Sequence, residues 1–169
     1  MTSDVLLRDV VEEDLPILFE QQLDPVASYM AAFTAKDPTD RDAFMAHWTR
    51  ILGDEGIMIK TVLFQGRVAG YVVSFEQFGK PSVAYWLGRE YWAKGVATQA
   101  LSLLLDQVTV RPLYARAAKD NVASIRVLEK CGFTISGEDR GYANARGAET
   151  EEFILVLARD TQSQELGRQ

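Results

Sequence analysis

One stretch of this chain limits its fold more than any other. An extended apolar run at residues 82–88 leads into the small-residue turn Trp92-Ala93-Lys94-Gly95-Val96-Ala97-Thr98, which opens a long helix. The first turn of a helix leaves its N–H groups without intrahelical partners, and they carry the positive end of the helix dipole. Side chains as small as Gly95 and Ala97 let a phosphate approach that main chain closely. The spacing therefore predicts a strand, a tight turn and a helix whose mouth holds an anion.

The flanking sequence supplies a sheet for that unit. Residues 5–10 read as a first strand, and Glu12-Glu13-Asp14 as the acidic first turn of a helix with Leu15, Ile17, Leu18 and Phe19 on its apolar side. Asp24-Pro25 ends it. Residues 26–38, with Tyr29, Met30 and Phe33, show no clean period and read as a short helix or a lid. Asp40 caps a helix over 41–52 that ends at Gly53. Residues 56–64 and 67–75 read as a hairpin closed by Gln65-Gly66, followed by a strand over 81–88 after a Gly79-Lys80 turn.

The helix from 94 to about 109 places Val96, Ala100, Leu103, Leu104 and Val108 at helical spacing. A strand over 113–118 and a helix over 121–131 follow. Strands at 133–136 and 152–157 finish the sheet, joined by a polar loop over 137–150. The fold class is α/β: a mixed, mostly antiparallel sheet of about seven strands with helices on both faces. The strand–helix–strand unit over 81–118 supplies one parallel pair. A ligand in such a sheet sits where neighbouring strands part and a helix begins, here at 88–98. Residues 1–160 read as a single domain and 161–169 as a polar, frayed tail.

Composition excludes several function classes. The single cysteine, Cys131, forbids an internal disulfide and reads as a small buried residue. The single histidine, His47, leaves no His-based zinc site or serine–histidine triad, and no metal is expected. A net charge of −6 with no Lys/Arg cluster argues against nucleic acid. No run of eighteen apolar residues exists to span a membrane, and the start lacks an apolar stretch of signal-peptide length, so the expectation is a cytoplasmic protein.

A second segment gives the turn its weight. Tyr85 through Thr98 reads Tyr-Trp-Leu-Gly-x-x-Tyr-Trp-x-Lys-Gly-x-Ala-Thr, and Asn121 through Phe133 reads Asn-x-x-Ser-x-x-Val-Leu-Glu-Lys-x-Gly-Phe. Asn121 has the chemistry of a helix N-cap and Gly132 that of a helix end. Together the two segments resemble the GNAT superfamily of N-acetyltransferases, in particular its ribosomal-protein N-terminal acetyltransferase branch. The element order extends the resemblance over nearly all of residues 4–158.

The resemblance implies acetyl-coenzyme A as donor, bound in a cleft where the parallel strand pair splays. It implies that the main chain of Lys94, Gly95, Val96, Ala97 and Thr98 holds the pyrophosphate. Trp86 and Leu87 would meet the pantetheine arm and polarise the thioester carbonyl, and Asn121 and Ser124 would line the other side. Two positions depart from the wider superfamily: Trp92 replaces the Gln or Arg that opens the phosphate loop, and Leu128 replaces a general-acid tyrosine. Ser124 then becomes the candidate for meeting the departing sulfur, with Tyr142 as the alternative.

Direct transfer needs a neutral amine. An α-amino group of pKa about 7.7–8.0 is roughly a third neutral near pH 7.5, whereas a lysine amine is about a thousandth neutral. Glu76, acting through water, is the first candidate base and Glu90 the second. The acceptor is an amine on a small molecule or a protein N-terminus, shaped by Tyr29, Met30, Phe33 and the 137–150 loop. A homodimer is compatible with this reading. The competing expectation is a catalytically weak acyl-coenzyme A sensor or interaction module, which Leu128 favours.

Overall fold

Two-residue turns set the register of the N-terminal half of the sheet. In the computed structural model, which describes residues 4–158, β2 (Met58–Phe64) and β3 (Arg67–Gln77) are joined by Gln65-Gly66, at φ 52° and 81°. Two left-handed residues in succession match the natural twist of the flanking strands. The next turn differs from expectation. It is Phe78-Gly79, at φ 52° and 74°, and β4 (Lys80–Leu87) starts one residue earlier than predicted. Phe78 is 73% exposed, with the Arg116 guanidinium 4.5 Å over its ring.

β1 (Val5–Asp9) pairs antiparallel with β2, and the remaining strands are β5 (Leu113–Ala118), β6 (Thr134–Ala143) and β7 (Ala148–Leu157). The seven-stranded sheet runs β1-β2-β3-β4-β5-β7-β6, and only β4 and β5 are parallel. The polar segment expected as a loop is mostly a long hairpin. β6 is the sheet edge and exposed along most of its length, so it carries none of the apolar alternation that marks a half-buried strand. The expected tail, 161–169, lies outside the described residues.

Helices cover both faces. α1 (Asp14–Gln22) and α3 (Arg41–Leu52) pack Leu15, Leu18, Phe19, Phe44 and Trp48 against Ile59 on one face. Ile17 is 43% exposed, so only part of the expected α1 stripe faces the core. Asp24-Pro25 starts a helix as well as following one: the Asp24 carboxylate accepts the Val26 N–H at 3.0 Å, capping α2 (Pro25–Ala31). On the other face, α4 (Val96–Gln107) buries Val96, Ala100, Leu101 and Leu104 against β1, β3 and β4. Leu101, rather than Leu103, is fully buried there. α5 (Val122–Lys130) packs beside α4 over β5. Among the described residues no helix is long and apolar enough to cross a membrane.

One buried charge ties α1 to the sheet. Asp14, 2% exposed, takes two bonds from Arg8 at 2.7 and 2.9 Å, one from the Val11 N–H at 3.0 Å and one from Thr61 Oγ1 at 2.7 Å. Burial alone would raise the pKa of this carboxyl. The bonds from Arg8, Val11 and Thr61 outweigh it and hold the pKa below its ordinary value. The contribution to stability is therefore complete above the unfolded value of about 3.9 and is lost as pH falls through the folded one. Asp14→Ala should lower unfolding free energy by about 2–4 kcal/mol, because the Arg8 and Thr61 donors lose their acceptor. Denaturant melts between pH 7 and 3 should show that difference shrinking toward acid.

Candidate active site

The site begins where the sheet comes apart. β4 and β5 are registered only at Ser82 and Tyr114, although β4 runs on to Leu87. Beside the unpaired end, β3 carries an extra residue: Val62 faces Gly70 but Leu63 faces Val68, which leaves Ala69 as a bulge. Gly70 is required there, because a Cβ would lie 1.9 Å from the Trp86 carbonyl oxygen. Gly88 donates its N–H to Ala69 at 2.9 Å. Alternation along the strand then turns the main-chain groups of Trp86 toward β3 and those of Tyr85 and Leu87 toward the gap. This narrows the expectation for Trp86 and Leu87: the Trp86 main chain belongs to the ladder, and the gap-facing donor is the Leu87 N–H. The Trp86 indole N–H is buried and has no hydrogen-bond partner among the described residues.

A cavity of about 1110 Å³ occupies the gap and reaches both faces of the sheet. On the α4–α5 side it is lined by Gly95, Val96, Ala97 and Thr98 together with Asn121 and Ser124. On the α1–α3 side it is lined by Met30, Phe33, Phe44, Trp48, Tyr71 and Phe75, with Trp86 between. That volume is at the top of the range for small-molecule sites.

At the mouth of α4 the chain turns sharply. Ala93 and Gly95 have φ 60° and 78°, and Gly95 is the N-cap with no side chain capping the helix. The first bond into the helix comes from Gln99 to the Gly95 carbonyl. The N–H groups of Val96, Ala97 and Thr98 therefore have no intrahelical partner, an arrangement suited to a phosphate. The helix starts two residues later than expected because Lys94 and Gly95 belong to the turn. The Lys94 side chain lies outside the cavity lining. Trp92 has a structural use of its own: its indole N–H donates to the Leu87 carbonyl at 3.1 Å, closing the turn against β4.

α5 treats its first turn differently. The Asn121 side-chain oxygen accepts the Ser124 N–H at 3.2 Å, and its amide donates to the Met30 carbonyl at 3.2 Å. Asn121 borders the cavity, but its side chain is engaged in joining α2 to α5. Ser124 Oγ accepts from Tyr85 Oη at 3.3 Å, and both residues line the cavity. Burial pushes the Tyr85 phenol above its ordinary pKa, although the bond to Ser124 pulls the other way. Leu128, one turn beyond Ser124 and 3% exposed, also lines the cavity.

Other expected residues divide. Met30 and Phe33 line the cavity, as does Tyr142, 64% exposed on the edge hairpin. Tyr29 does not. Its carbonyl accepts Arg146 Nε at 2.9 Å and its ring lies 4.4 Å under that guanidinium, which clamps α2 to the β6–β7 turn. Glu76 is exposed and outside the lining, because strand alternation points Phe75 and Gln77 to the cavity and Glu76 to the opposite face. It is not placed to act as a base there, and Glu90 is also outside.

The cavity's own carboxylates are engaged. Asp139 and Glu152 each accept from Arg116 Nη1 at 2.7 Å, and the Arg116 bond holds Asp139 below its ordinary pKa. His47, on the α3 wall, takes Arg50 Nη2 at 2.9 Å on Nδ1. A guanidinium can only donate, so the neutral ring carries its proton on Nε2 and offers no free lone pair. Burial and the Arg50 charge lower the His47 pKa, favouring that neutral form. The aromatic wall carries no distinctive signal in sequence, and Tyr85, although it opens the first motif, has no role assigned by that motif. Phe44 and Trp48, four residues apart on α3, read equally well as core.

A mixed sheet split at a parallel pair, with an uncapped helix mouth at the split, defines a class of α/β fold whose cleft is suited to an anionic ligand. A sequence model of the acetyltransferase (GNAT) domain matches residues 4–134, and the chain belongs to that family of acetyltransferases. It is 24% identical to the "uncharacterized N-acetyltransferase p20" of Bacillus licheniformis, over 92% of this chain and 93% of that one. The fold is similar to RimL, a ribosomal L7/L12 α-N-protein acetyltransferase solved with coenzyme A, at TM-score 0.74 and 19% identity, covering 94% of this chain and 97% of that one. It is also similar to the microcin C7 self-immunity acetyltransferase MccE, solved with acetyl-CoA and AMP, at TM-score 0.73 and 17% identity, covering 94% of each chain.

Gly95→Val should weaken acetyl-coenzyme A binding at least about tenfold in calorimetry, because a β-branched residue resists the left-handed conformation that shapes the turn. Gly70→Ala should weaken it as well, by displacing the end of β4, and should lower the melting temperature.

Proposed function

We propose that this acetyltransferase moves an acetyl group from acetyl-coenzyme A to a primary amine by direct attack in a ternary complex. The observation that carries the reading is one continuous cavity through the sheet, with helix N–H groups that lack intrahelical partners on one face and an apolar chamber on the other. Acetyl-coenzyme A supplies an activated acyl carbon. The main chain from Gly95 to Thr98 would hold its diphosphate. The Leu87 N–H would polarise the thioester carbonyl and stabilise the tetrahedral intermediate, and the Ser124 hydroxyl would meet the departing sulfur. Met30, Phe33 and Tyr142 would flank the acceptor.

Direct transfer is favoured because, among the described residues, no thiol lines the cavity. Cys131 lies outside the cavity lining, its Sγ donates to the Thr98 carbonyl at 3.6 Å, and burial pushes its thiol up. The acceptor chemistry is read from how the cavity's titratable groups are engaged among the described residues. Asp139 and Glu152 are held by Arg116, and the free edge of His47 carries a proton. A weakly basic amine, such as the α-amino group of a peptide or small molecule, needs no deprotonation by the enzyme near neutral pH, whereas a lysine does.

Thiol release should require both acetyl-coenzyme A and an amine, with kcat/KM rising through the acceptor's own amine pKa rather than that of an enzyme group. Ser124→Ala should cut turnover by about 10²-fold while leaving the calorimetric Kd for acetyl-coenzyme A within about twofold. Tight binding without turnover across α-amino peptides, arylalkylamines and polyamines would instead favour the sensor reading, which the buried apolar Leu128 supports.

A further inference from the structure

Ser124 has a partner that a serine in a helix's first turn ordinarily lacks. Its Oγ receives a bond from Tyr85 Oη, and among the described residues no acceptor takes its own proton. The direction of that bond follows from acidity, since a phenol is the stronger acid of the two and so the better donor. Serines in helices commonly turn the hydroxyl back onto the main chain. Here a rigid donor on β4 occupies one side of the oxygen, so the serine proton is directed elsewhere. Both residues line the same cavity, and Tyr85 packs against the main core beside α4 and α5.

We propose that Tyr85 is a positioning residue: by donating its phenolic hydrogen to Ser124 Oγ, it turns the serine proton into the cavity, toward the sulfur of the acyl donor. The inference rests on Ser124 being the group that meets that sulfur. In the transfer step Ser124 Oγ gives its proton to the departing sulfur as the N–C bond forms and the C–S bond breaks. It regains one through water from the ammonium that attack leaves. Tyr85 keeps its proton throughout. Its raised pKa leaves the phenol protonated, and so a donor, across the neutral range. Leu128 on the same face of α5 offers no hydroxyl that could replace this pair.

The test does not require the acceptor to be known. Coenzyme A itself is the probe, and its bound thiol is titrated by thiolate absorbance, as the difference from the desulfo-coenzyme A complex. A hydrogen bond to the thiolate favours the charged form, so Ser124→Ala should raise the bound thiol's pKa by about one unit. Tyr85→Phe should raise it by at least half as much, and the double variant no further than Ser124→Ala alone. Coenzyme A affinity should stay within about threefold of wild type and melting should remain cooperative. Tyr85→Met, which keeps apolar volume without the oxygen, is the second variant if Tyr85→Phe folds poorly.

An unchanged thiol in Ser124→Ala would overturn the reading of Ser124, whatever Tyr85 does. A shift in Ser124→Ala with none in Tyr85→Phe would overturn the Tyr85 inference alone. So would equal Tyr85→Phe effects with and without Ser124, or loss of coenzyme A affinity in step with the shift, since either marks a merely structural role.

Discussion

The structure depends on a broken ladder. β4 and β5 begin as a parallel pair and then separate, so a strand end in the middle of a sheet is left with main-chain groups facing a gap. Buried N–H and C=O groups need partners, and a gap that persists must be stabilised by its neighbours. The bulge at Ala69 and the absent side chain at Gly70 fix the end of β4 from one side. The Trp92 indole satisfies the Leu87 carbonyl from the other. With its carbonyl taken by the indole, the Leu87 main chain presents its N–H to the gap, a group that favours an acceptor atom there.

The two helices that start at the gap handle their orphan donors in opposite ways. α5 is capped by Asn121, whose amide also reaches α2, so its first turn is rigid and partly neutralised. α4 is left uncapped behind Gly95. The difference selects one helix mouth for an anion and leaves the other to hold a hydroxyl in place. Arg126 and Lys130 on α5 border the same cavity and give its α4–α5 side a local positive field in a chain of net charge −6. On the other face, Arg116 pairs with the nearby carboxylates of Asp139 and Glu152, and the aromatic walls leave that chamber largely apolar. One sheet thus separates a helix mouth suited to an anion from a largely apolar chamber, and the two meet at the gap.

How much of this was legible in the sequence varies with how local the cause is. The Gln65-Gly66 hairpin, the Asp40 and Asn121 caps and the α4 turn were readable because each depends on the chemistry of a few adjacent residues. The edge hairpin was not, because β6 lacks the alternation that a buried face imposes. Glu76 does lie near the end of β3, as its sequence position implies, but the face it points to is fixed only by the strand's pairing with β4 beyond the turn at Phe78-Gly79. Tyr29 and Phe33 look alike as aromatics in an irregular segment. Only the Arg146 clamp separates the one that staples α2 from the one that lines the cavity.

The sequence by itself determined the family, the order of strands and helices and the uncapped helix mouth, because motif spacing, periodicity and turn chemistry act along the chain. Tertiary structure decided which groups face the gap. It paired Tyr85 with Ser124 across 39 residues of sequence, tied Asp139 and Glu152 to Arg116, and turned the main chain of Leu87 rather than that of Trp86 toward the gap. Strand phase and side-chain pairing are set by contacts between distant segments, and no short-range pattern encodes them.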